Sequence, residues 1–366
     1  MKIDDEDDEV RSRMALEQAQ QSLRSSMEVN KAEVESAGGI DMFDGVLSDS
    51  GIYSEDRPDR LKAHVREAEP TDDSEGYYRH QIGEILGDKY KIIGFHGQGV
   101  FSNVLKAIDV TTNDLVAIKL LRNNDHFRRT GKKEIQILKQ LHASDPEGKF
   151  NNIRLLGEFM DREHLCLVFE PMDLNLRQLI KKTGGKGLNL NAIRVYGFKL
   201  LKALLQLRKE GIIHADMKPD NILVNDSRTV VKLADLGSAM EEHEYEPTPL
   251  LVSRFYRSPE IILGLRYSYP LDMFSFACVM YELATGKPML RSRDNNHHLL
   301  LLTEYKGAPP KPLLRNALFR TQYFDEQSRF LETVVDTTLG KVRLLINASI
   351  ACSISRGCLL GDGSST

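Results

Sequence analysis

Residues 212–224 read IIHADMKPDNILV and hold three different polar groups between two apolar stretches. The carboxylate of Asp216, the ammonium group of Lys218 and the carboxamide of Asn221 lie close together in this stretch. Apolar and β-branched residues on both sides indicate two short strands, so the polar residues belong to the loop between them. We therefore examined this loop as a candidate catalytic site.

A second acidic residue follows at a fixed distance from this loop. Asp235 comes after an apolar strand and before Leu236-Gly237, in the sequence VKLADLGSA. Phosphoryl transfer to a hydroxyl needs a carboxylate that orients the acceptor, a cation near the γ-phosphate and oxygen ligands for Mg²⁺. Asp216, Lys218 and Asn221 supply these groups in that order, and Asp235 supplies a second metal ligand. An Asp-x-Lys-Pro-x-Asn loop followed at this distance by a strand and Asp-x-Gly is a highly specific signal for phosphoryl transfer.

An upstream glycine-containing stretch, GFHGQGVFSNV, is a candidate phosphate-binding turn. Gly97 and Gly99 carry no side chain, so backbone N–H groups in such a turn can face phosphate oxygens. Val104 would then pack on the base, and Ser102 holds a position where a third glycine is common. Glycine pairs also occur in ordinary hairpins, so this stretch alone is a weak signal.

A lysine with two possible roles ends the next apolar strand, VAIK. Lys119 could extend its ammonium group to solvent along the apolar surface. It could instead reach the α- and β-phosphates, a role that requires a carboxylate to hold the ammonium group. Glu134, in the helical stretch GKKEIQILKQLHA, is the candidate partner.

The order of the elements predicts a two-lobed α+β protein. Strand-like patterns prevail from about residue 90, and helical patterns prevail from about residue 188. The first 80 residues carry 21 acidic and 10 basic side chains, and the remainder carries 32 acidic and 39 basic ones. We expect residues 1–80 to form an acidic, disordered tail that acts either as a solubiliser or as a docking segment.

Several classes of protein are disfavoured by composition. The four cysteines form no CxxC pair and no zinc-binding spacing, which suits a reducing compartment. The acidic start MKIDDEDDEV resembles neither a secretory signal nor a transit peptide. No apolar run approaches the length of a membrane span, about 20 residues. The sequence contains no concentrated basic stripe of the kind that binds nucleic acid directly.

From about residue 90 to residue 311, the sequence resembles the eukaryotic protein kinases. Arg257, in LVSRFYRSPEIILG, matches an arginine typical of the CMGC group. Together with TGKKEIQILKQL, HLCLVFEPMDLNLR and HADMKPDNILVN, this stretch is most similar to the pre-mRNA-processing-factor-four kinases. The resemblance implies a kinase domain over residues 90–330, with an N-lobe at 90–172 and a C-lobe at 173–330. Residues 331–366 form a divergent tail, and the C-lobe looks truncated.

The resemblance also implies residue roles, with ATP and Mg²⁺ as cofactors. Catalysis would fall to Asp216, Lys218 and Asn221, and the metal would bind Asn221 and Asp235. The residues expected to bind ATP, including two at the hinge whose backbone contacts adenine, are Gly97, Gly99, Val104, Ala117, Lys119, Glu134, Glu170, Met172 and Asp235.

Three departures from the family pattern bear on activity. Ala215 stands where most kinases have an arginine that binds an activation-segment phosphate, although this family resembles the alanine version. Leu250 replaces the tyrosine that relatives phosphorylate, so either its side chain packs to hold the segment or the segment is poorly held. We expect Glu260 to lack its usual arginine partner, and burial of its carboxylate would make that costly.

Two functions are therefore compatible with the sequence. The first is an active serine/threonine kinase, not switched by tyrosine phosphate, with protein substrates that include Arg/Ser-rich splicing factors. The second is an inactive pseudokinase that acts as an interaction scaffold. By resemblance we expect a monomer with a nuclear location, a cytoplasmic pool being the alternative, and neither membrane nor direct nucleic-acid binding.

Overall fold

The computed structural model describes residues 72–73, 76–99, 101–336 and 341–346, with the backbone alone at 333–336 and 341–346. All of these residues fall within one compact unit, Glu67–Thr366. The expectations for residues 1–71 and 347–366 lie outside the described residues. Residues 72–73 and 76–80 of the expected acidic tail are described. Asp72, Gly76, Tyr77 and Tyr78 form hydrogen bonds to residues in or next to the sheet described below.

A six-stranded antiparallel sheet forms the first part of the described chain, in the order β1-β2-β3-β4-β6-β5. Its central strands are rich in β-branched and aliphatic residues, which suits a sheet that buries one face. The strands are β1 (Ile85–Leu86), β2 (Tyr90–Gln98), β3 (Ser102–Asp109), β4 (Leu115–Leu121), β5 (Leu155–Asp161) and β6 (His164–Phe169).

Helix α1 (Asp125–Ser144) packs against this sheet. The side chain of Asn124 accepts a hydrogen bond from the His126 amide and so caps the first turn. Gly131 permits the close approach, because a side chain there would collide with Leu121 of β4. The apolar stripe of α1 is buried, and it carries Glu134 to the inner side of the sheet.

The second part of the described chain is mainly helical. Its longest helix buries an apolar face while Asn189 caps its start through the Ala192 amide. The helices are α2 (Leu176–Lys182), α3 (Leu190–Lys209), α4 (Pro259–Leu263), α5 (Pro270–Thr285), α6 (Asn295–Lys306) and α7 (Lys311–Arg315).

Short strands flank the loop that carries Asp216, Lys218 and Asn221. The loop lies between β8 (Ile212–Ile213) and β9 (Ile222–Val224), as the apolar flanks predicted. β9 pairs with β10 and β7, and β8 pairs with β11. The remaining strands are β7 (Leu174–Asn175), β10 (Val231–Leu233), β11 (Met240–Glu241), and the paired β12 (Leu331–Asp336) and β13 (Lys341–Ile346).

A β-rich part followed by a helical part is the two-lobed α+β architecture expected from the sequence, and that expectation is confirmed. Among the described helices, none is long and apolar enough to cross a bilayer.

Candidate active site

Lys119 forms an ion cluster with two carboxylates from different elements. Its Nζ lies 2.9 Å and 2.8 Å from the two carboxylate oxygens of Glu134 on α1, and 2.8 Å from Asp235 Oδ1. The Lys119 side chain is only 12% exposed. Of the two roles left open by the sequence, the solvent-directed one is therefore excluded, and the predicted pair with Glu134 is present.

The charges of this cluster are coupled. Burial alone would lower the pKa of Lys119, but the carboxylates of Asp235 and Glu134 outweigh it and raise that pKa. Desolvation would raise the pKa of Asp235, but the ammonium group of Lys119 lowers it below the usual range. At neutral pH the cluster therefore holds a fixed positive charge beside an ionised Asp235.

Strand register aligns the expected nucleotide-binding residues across the sheet. Val104 lies opposite Gly97 on one side and opposite Lys119 on the other. Ala117 is two residues from Lys119 on the same strand, so it shares the same face. A side chain added at Gly97 would meet nothing within 4 Å. This face is therefore open above the glycine turn, with room for a bound group.

The segment after β6 presents unpaired backbone groups at the expected hinge. The Glu170 amide donates to the Arg154 carbonyl at 3.2 Å, and the Glu170 carboxylate lies 3.0 Å from Lys232 Nζ. Within the described part of the chain, the Glu170 carbonyl and the Met172 amide form no hydrogen bond. One acceptor and one donor remain at the cleft edge, which suits recognition of a planar base.

In the catalytic loop, Asp216 is surrounded by donors. Lys218 Nζ lies 2.7 Å from Oδ2, and the Asn221 amide donates to Oδ2 at 3.1 Å and to the Asp216 carbonyl at 2.9 Å. The Ser253 hydroxyl donates to Oδ1 at 2.7 Å. Ser253 was missed at the sequence level, because it lies 37 residues further along the chain. These contacts fix the direction of the Asp216 carboxylate.

A side chain of α5 holds the backbone of the loop that carries Asp216. The carboxylate of the buried Asp272 accepts from the His214 amide at 2.8 Å and from the Ala215 amide at 3.0 Å. Ala215 has a φ of 60°, a left-handed conformation that is unfavourable for a residue with a side chain. Asp272 supplies the two hydrogen bonds that offset this strain and place Asp216 beyond the turn.

The donor set at the expected metal position fits a hard cation. The Ala234 amide donates to the Asn221 carbonyl at 2.9 Å, so Asn221 lies beside the strand end that carries Asp235. The Asn221 amide nitrogen is bound to Asp216, which leaves its oxygen as an acceptor. No group of three or more His, Cys, Asp or Glu side chains within the described ranges could hold a metal. Two oxygen ligands plus phosphate oxygens is a usual Mg²⁺ arrangement.

Arg257 holds residues 250–252, which directly precede Ser253, the partner of Asp216. Its guanidinium donates to three consecutive carbonyls, those of Leu250 at 3.0 Å, Leu251 at 2.8 Å and Val252 at 2.7 Å. Val252 has a φ of 67°, which is rare for a β-branched residue. The Leu250 side chain is 62% exposed. The sequence left two alternatives open, apolar packing by Leu250 or a poorly held segment. The structure shows neither, because the backbone carbonyls of the segment are bound to Arg257.

Asn295, at the start of α6, binds both Arg257 and the same segment, and we call Arg257 and Asn295 the clamp. Its side-chain oxygen accepts from Arg257 at 2.6 Å, and its side-chain nitrogen donates to the Pro249 carbonyl at 3.0 Å. A further contact, between Lys133 of α1 and Glu244, is exposed and contributes little. Arg257 and Asn295 thus hold the segment through hydrogen bonds to its backbone carbonyls.

Glu260 differs from the sequence expectation in its surroundings. It is half-buried, and within the described residues it forms no ion pair. The large penalty of a fully buried, unpaired carboxylate therefore does not apply to it.

The comparisons with known proteins agree with this geometry. The protein kinase domain model matches residues 90–326. Serine/threonine-protein kinase prpf4B of Dictyostelium discoideum is 42% identical over 302 residues, covering 82% of this chain and 36% of that protein. Serine/threonine-protein kinase prp4 of Schizosaccharomyces pombe is 44% identical over 262 residues, covering 71% and 55%. Dual specificity tyrosine-phosphorylation-regulated kinase 3 of Rattus norvegicus is 38% identical over 277 residues, covering 75% and 47%.

The chain belongs to the protein kinase family, and its resemblance to the CMGC group is confirmed. It spans between about a third and just over half of the length of these relatives. The structure brings Lys119 into contact with Glu134 and Asp235, and it brings Asp216 into contact with Lys218 and Asn221. The individual roles of the expected site residues remain predictions.

Proposed function

We propose that the chain is a protein serine/threonine kinase that uses ATP and Mg²⁺. The observation that carries this proposal is that the Lys119–Glu134–Asp235 cluster and the Asp216 loop are both assembled. The two prp4-type relatives are named serine/threonine-protein kinases. The Lys119–Glu134 ion pair supports this proposal, because kinases need a lysine held by a helix carboxylate for phosphoryl transfer. Asp235 is the residue that we propose as a metal ligand.

In this proposal the sheet side of the cleft binds ATP. Backbone groups of Glu170 and Met172 bind the adenine, while Val104 and Ala117 pack on its face. Lys119 binds the α- and β-phosphates because Glu134 fixes its ammonium group in place. Bound Mg²⁺ would neutralise charge on the phosphate oxygens, and Asn221 and Asp235 are the residues that would hold it.

The catalytic loop performs the transfer step. Asp216 orients the acceptor hydroxyl and takes its proton as the oxygen–phosphorus bond forms and the bond to ADP breaks. Lys218, 2.7 Å from Asp216, offers a positive charge to the transferring group. The Ser253 hydroxyl binds Asp216, and Ser253 directly follows the residues 250–252 that Arg257 holds. In this proposal the same segment therefore positions both the protein substrate and the base.

We further propose that this kinase needs no phosphate on its activation segment. Ala215 cannot bind a phosphate, and Leu250 cannot accept one at the tyrosine position. Arg257 and Asn295 supply the support that a phosphate group supplies elsewhere.

The substrate class rests on resemblance. We propose Arg/Ser-rich spliceosomal proteins as substrates, a role in pre-mRNA splicing, a nuclear location and a monomeric state. The mildly basic body of the chain carries no concentrated stripe, so we do not propose direct nucleic-acid binding.

The test is phosphate transfer from Mg-ATP to an Arg/Ser-rich protein by wild type, Asp216→Asn and Asp226→Asn. Asp226 is exposed and lies in the turn after β9, so its amide variant is the matched control. We expect the rate to fall about 10²- to 10⁴-fold in Asp216→Asn alone. Failure of a folded, soluble wild type to transfer phosphate to several proteins would instead favour the scaffold function.

A further inference from the structure

Residues 72–73 and 76–80 precede β1, and we call them the strap. They contact residues within or next to the strands β2, β3, β4 and β6. The Asp72 carboxylate lies 2.8 Å from Nε2 of the fully buried His164 and accepts from the Asn123 side chain at 3.2 Å. The Gly76 carbonyl accepts from the Asn123 amide at 3.0 Å. The strap is thus fixed by specific hydrogen bonds to the ends of β4 and β6.

Tyr77 extends from the strap to the glycine turn. Its hydroxyl donates to the Gly99 carbonyl at 2.9 Å, and its amide donates to Asp73 Oδ1 at 2.9 Å. The Arg122 guanidinium lies over its ring, 4.6 Å from the centroid. The residue is 7% exposed. A buried tyrosine whose backbone and ring are both held is a rigid support for the bond that its hydroxyl makes.

Gly99 forms a second hydrogen bond among the described residues. Its amide donates to the Ser102 carbonyl at 2.8 Å, which closes the turn between β2 and β3. Glycine loses more conformational freedom on ordering than any other residue. A hydrogen bond to a carbonyl oxygen also fixes the plane of its peptide group, because the peptide bond is planar. The Tyr77 hydroxyl therefore restricts the backbone that must face the phosphates.

We propose that Tyr77 is a positioning residue for nucleotide binding, which holds the Gly97–Gly99 turn in its phosphate-binding conformation. The proposal rests on the nucleotide-binding half of the proposed function and not on the transfer step. Without the hydroxyl, the turn samples more conformations, and ATP binding must restrict them at a cost in affinity.

The neighbouring tyrosine provides a matched control. The Tyr78 hydroxyl donates to Glu84 at 2.6 Å, and its ring contacts His164 edge-on at 5.2 Å. Tyr78 is as buried as Tyr77 and lies in the same strap, but its hydroxyl does not contact the glycine turn. Loss of each hydroxyl removes one hydrogen bond from the strap, and only Tyr77→Phe releases the turn.

The experiment compares the full chain as wild type, Tyr77→Phe and Tyr78→Phe in the presence of Mg²⁺. Affinity is measured by titration with a fluorescent ATP analogue, and KM for ATP and kcat are measured by steady-state kinetics. We expect Tyr77→Phe to weaken nucleotide binding by about two- to tenfold, the range of one net hydrogen bond. KM for ATP should rise in proportion while kcat changes by less than about twofold, and Tyr78→Phe should change neither.

Equal weakening by both variants would overturn the proposal, because it would show a general effect of strap stability. Unchanged affinity in a folded Tyr77→Phe would overturn it as well. The titration needs no phosphate transfer. If the wild type binds nucleotide without transferring phosphate, the expected difference between the two variants would still support the role of Tyr77 while the proposed kinase activity fails.

Discussion

Three residues of the site adopt a left-handed backbone conformation although none is glycine: Ala215, Asp235 and Val252. Such residues persist only where surrounding contacts determine their geometry, and they concentrate at functional sites. Asp272 accepts a hydrogen bond from the Ala215 amide, and Arg257 donates one to the Val252 carbonyl. Sequence reasoning identified Asp235 by its motif but had no signal for its conformation, because φ depends on contacts made by distant residues.

A buried hydroxyl at Ser258 gives the first residue-scale prediction. Ser258 is fully buried, and among the described residues its Oγ has no hydrogen-bond partner. Removing an unsatisfied buried hydroxyl removes its desolvation cost, so Ser258→Ala should stabilise the fold by on the order of 1 kcal/mol. Thermal unfolding should show a rise of about 2–4 °C. A lower melting temperature would mean that Ser258 has a partner, such as a bound water.

At the scale of elements, the activation segment is held by the Arg257–Asn295 clamp. The sequence identified Arg257 by resemblance, but it gave no indication of Asn295, which lies 38 residues further on. The apolar character of Leu250 suggested packing, whereas its side chain faces solvent and its carbonyl is bound. Side-chain type alone could not reveal that a backbone group is the one in contact.

Asn295→Ala should therefore impair use of the protein substrate. It removes one hydrogen bond to Arg257 and one to Pro249, each worth about 0.5–1.5 kcal/mol net. We expect kcat/KM for the protein substrate to fall by about 5- to 100-fold while KM for ATP is unchanged. Leu250→Ala is the control, and we expect it to be neutral because the side chain is exposed. Greater loss in Leu250→Ala than in Asn295→Ala would contradict this account of the segment.

The strap and the glycine turn show a second limit of sequence reasoning. The acidic composition of residues 1–80 indicated disorder, yet Tyr77 and Tyr78 are buried. Composition averages over a long window and obscures a short stretch in which two aromatic residues bind the sheet. By contrast, the Lys119–Glu134 pair was predictable, because a strand lysine and a helix carboxylate occur in a recognisable order.

At the scale of the whole molecule, a buried histidine connects stability to pH. His298 is fully buried between Ser292 and the Arg257 carbonyl. Burial lowers the pKa of His298, the hydrogen bond to the Arg257 carbonyl opposes that effect, and the charges of Arg257, Arg254 and His297 lower the pKa further. The net result is a fall in the pKa from 6.5 to about 4. The unfolded chain then binds a proton that the folded chain does not. Stability from this group is complete above pH 6.5 and is lost as the pH falls towards about 4.

Chemical denaturation at pH 7.5 and pH 5 tests this dependence. The difference in unfolding free energy between the two pH values should be smaller in His298→Gln than in wild type by about 2 kcal/mol. His243→Gln is the control, because His243 is 78% exposed. An equal pH dependence in wild type and His298→Gln would show that His298 is not held neutral.

We expect the chain to transfer phosphate without a phosphate on its own activation segment. The most direct measurement is the initial rate of transfer from Mg-ATP to an Arg/Ser-rich protein by phosphatase-treated wild type, with intact mass confirming that no phosphate remains. The account predicts immediate transfer with no lag, at the rate of the untreated protein. A rate that is absent at first and rises only as the chain itself gains phosphate would contradict the account.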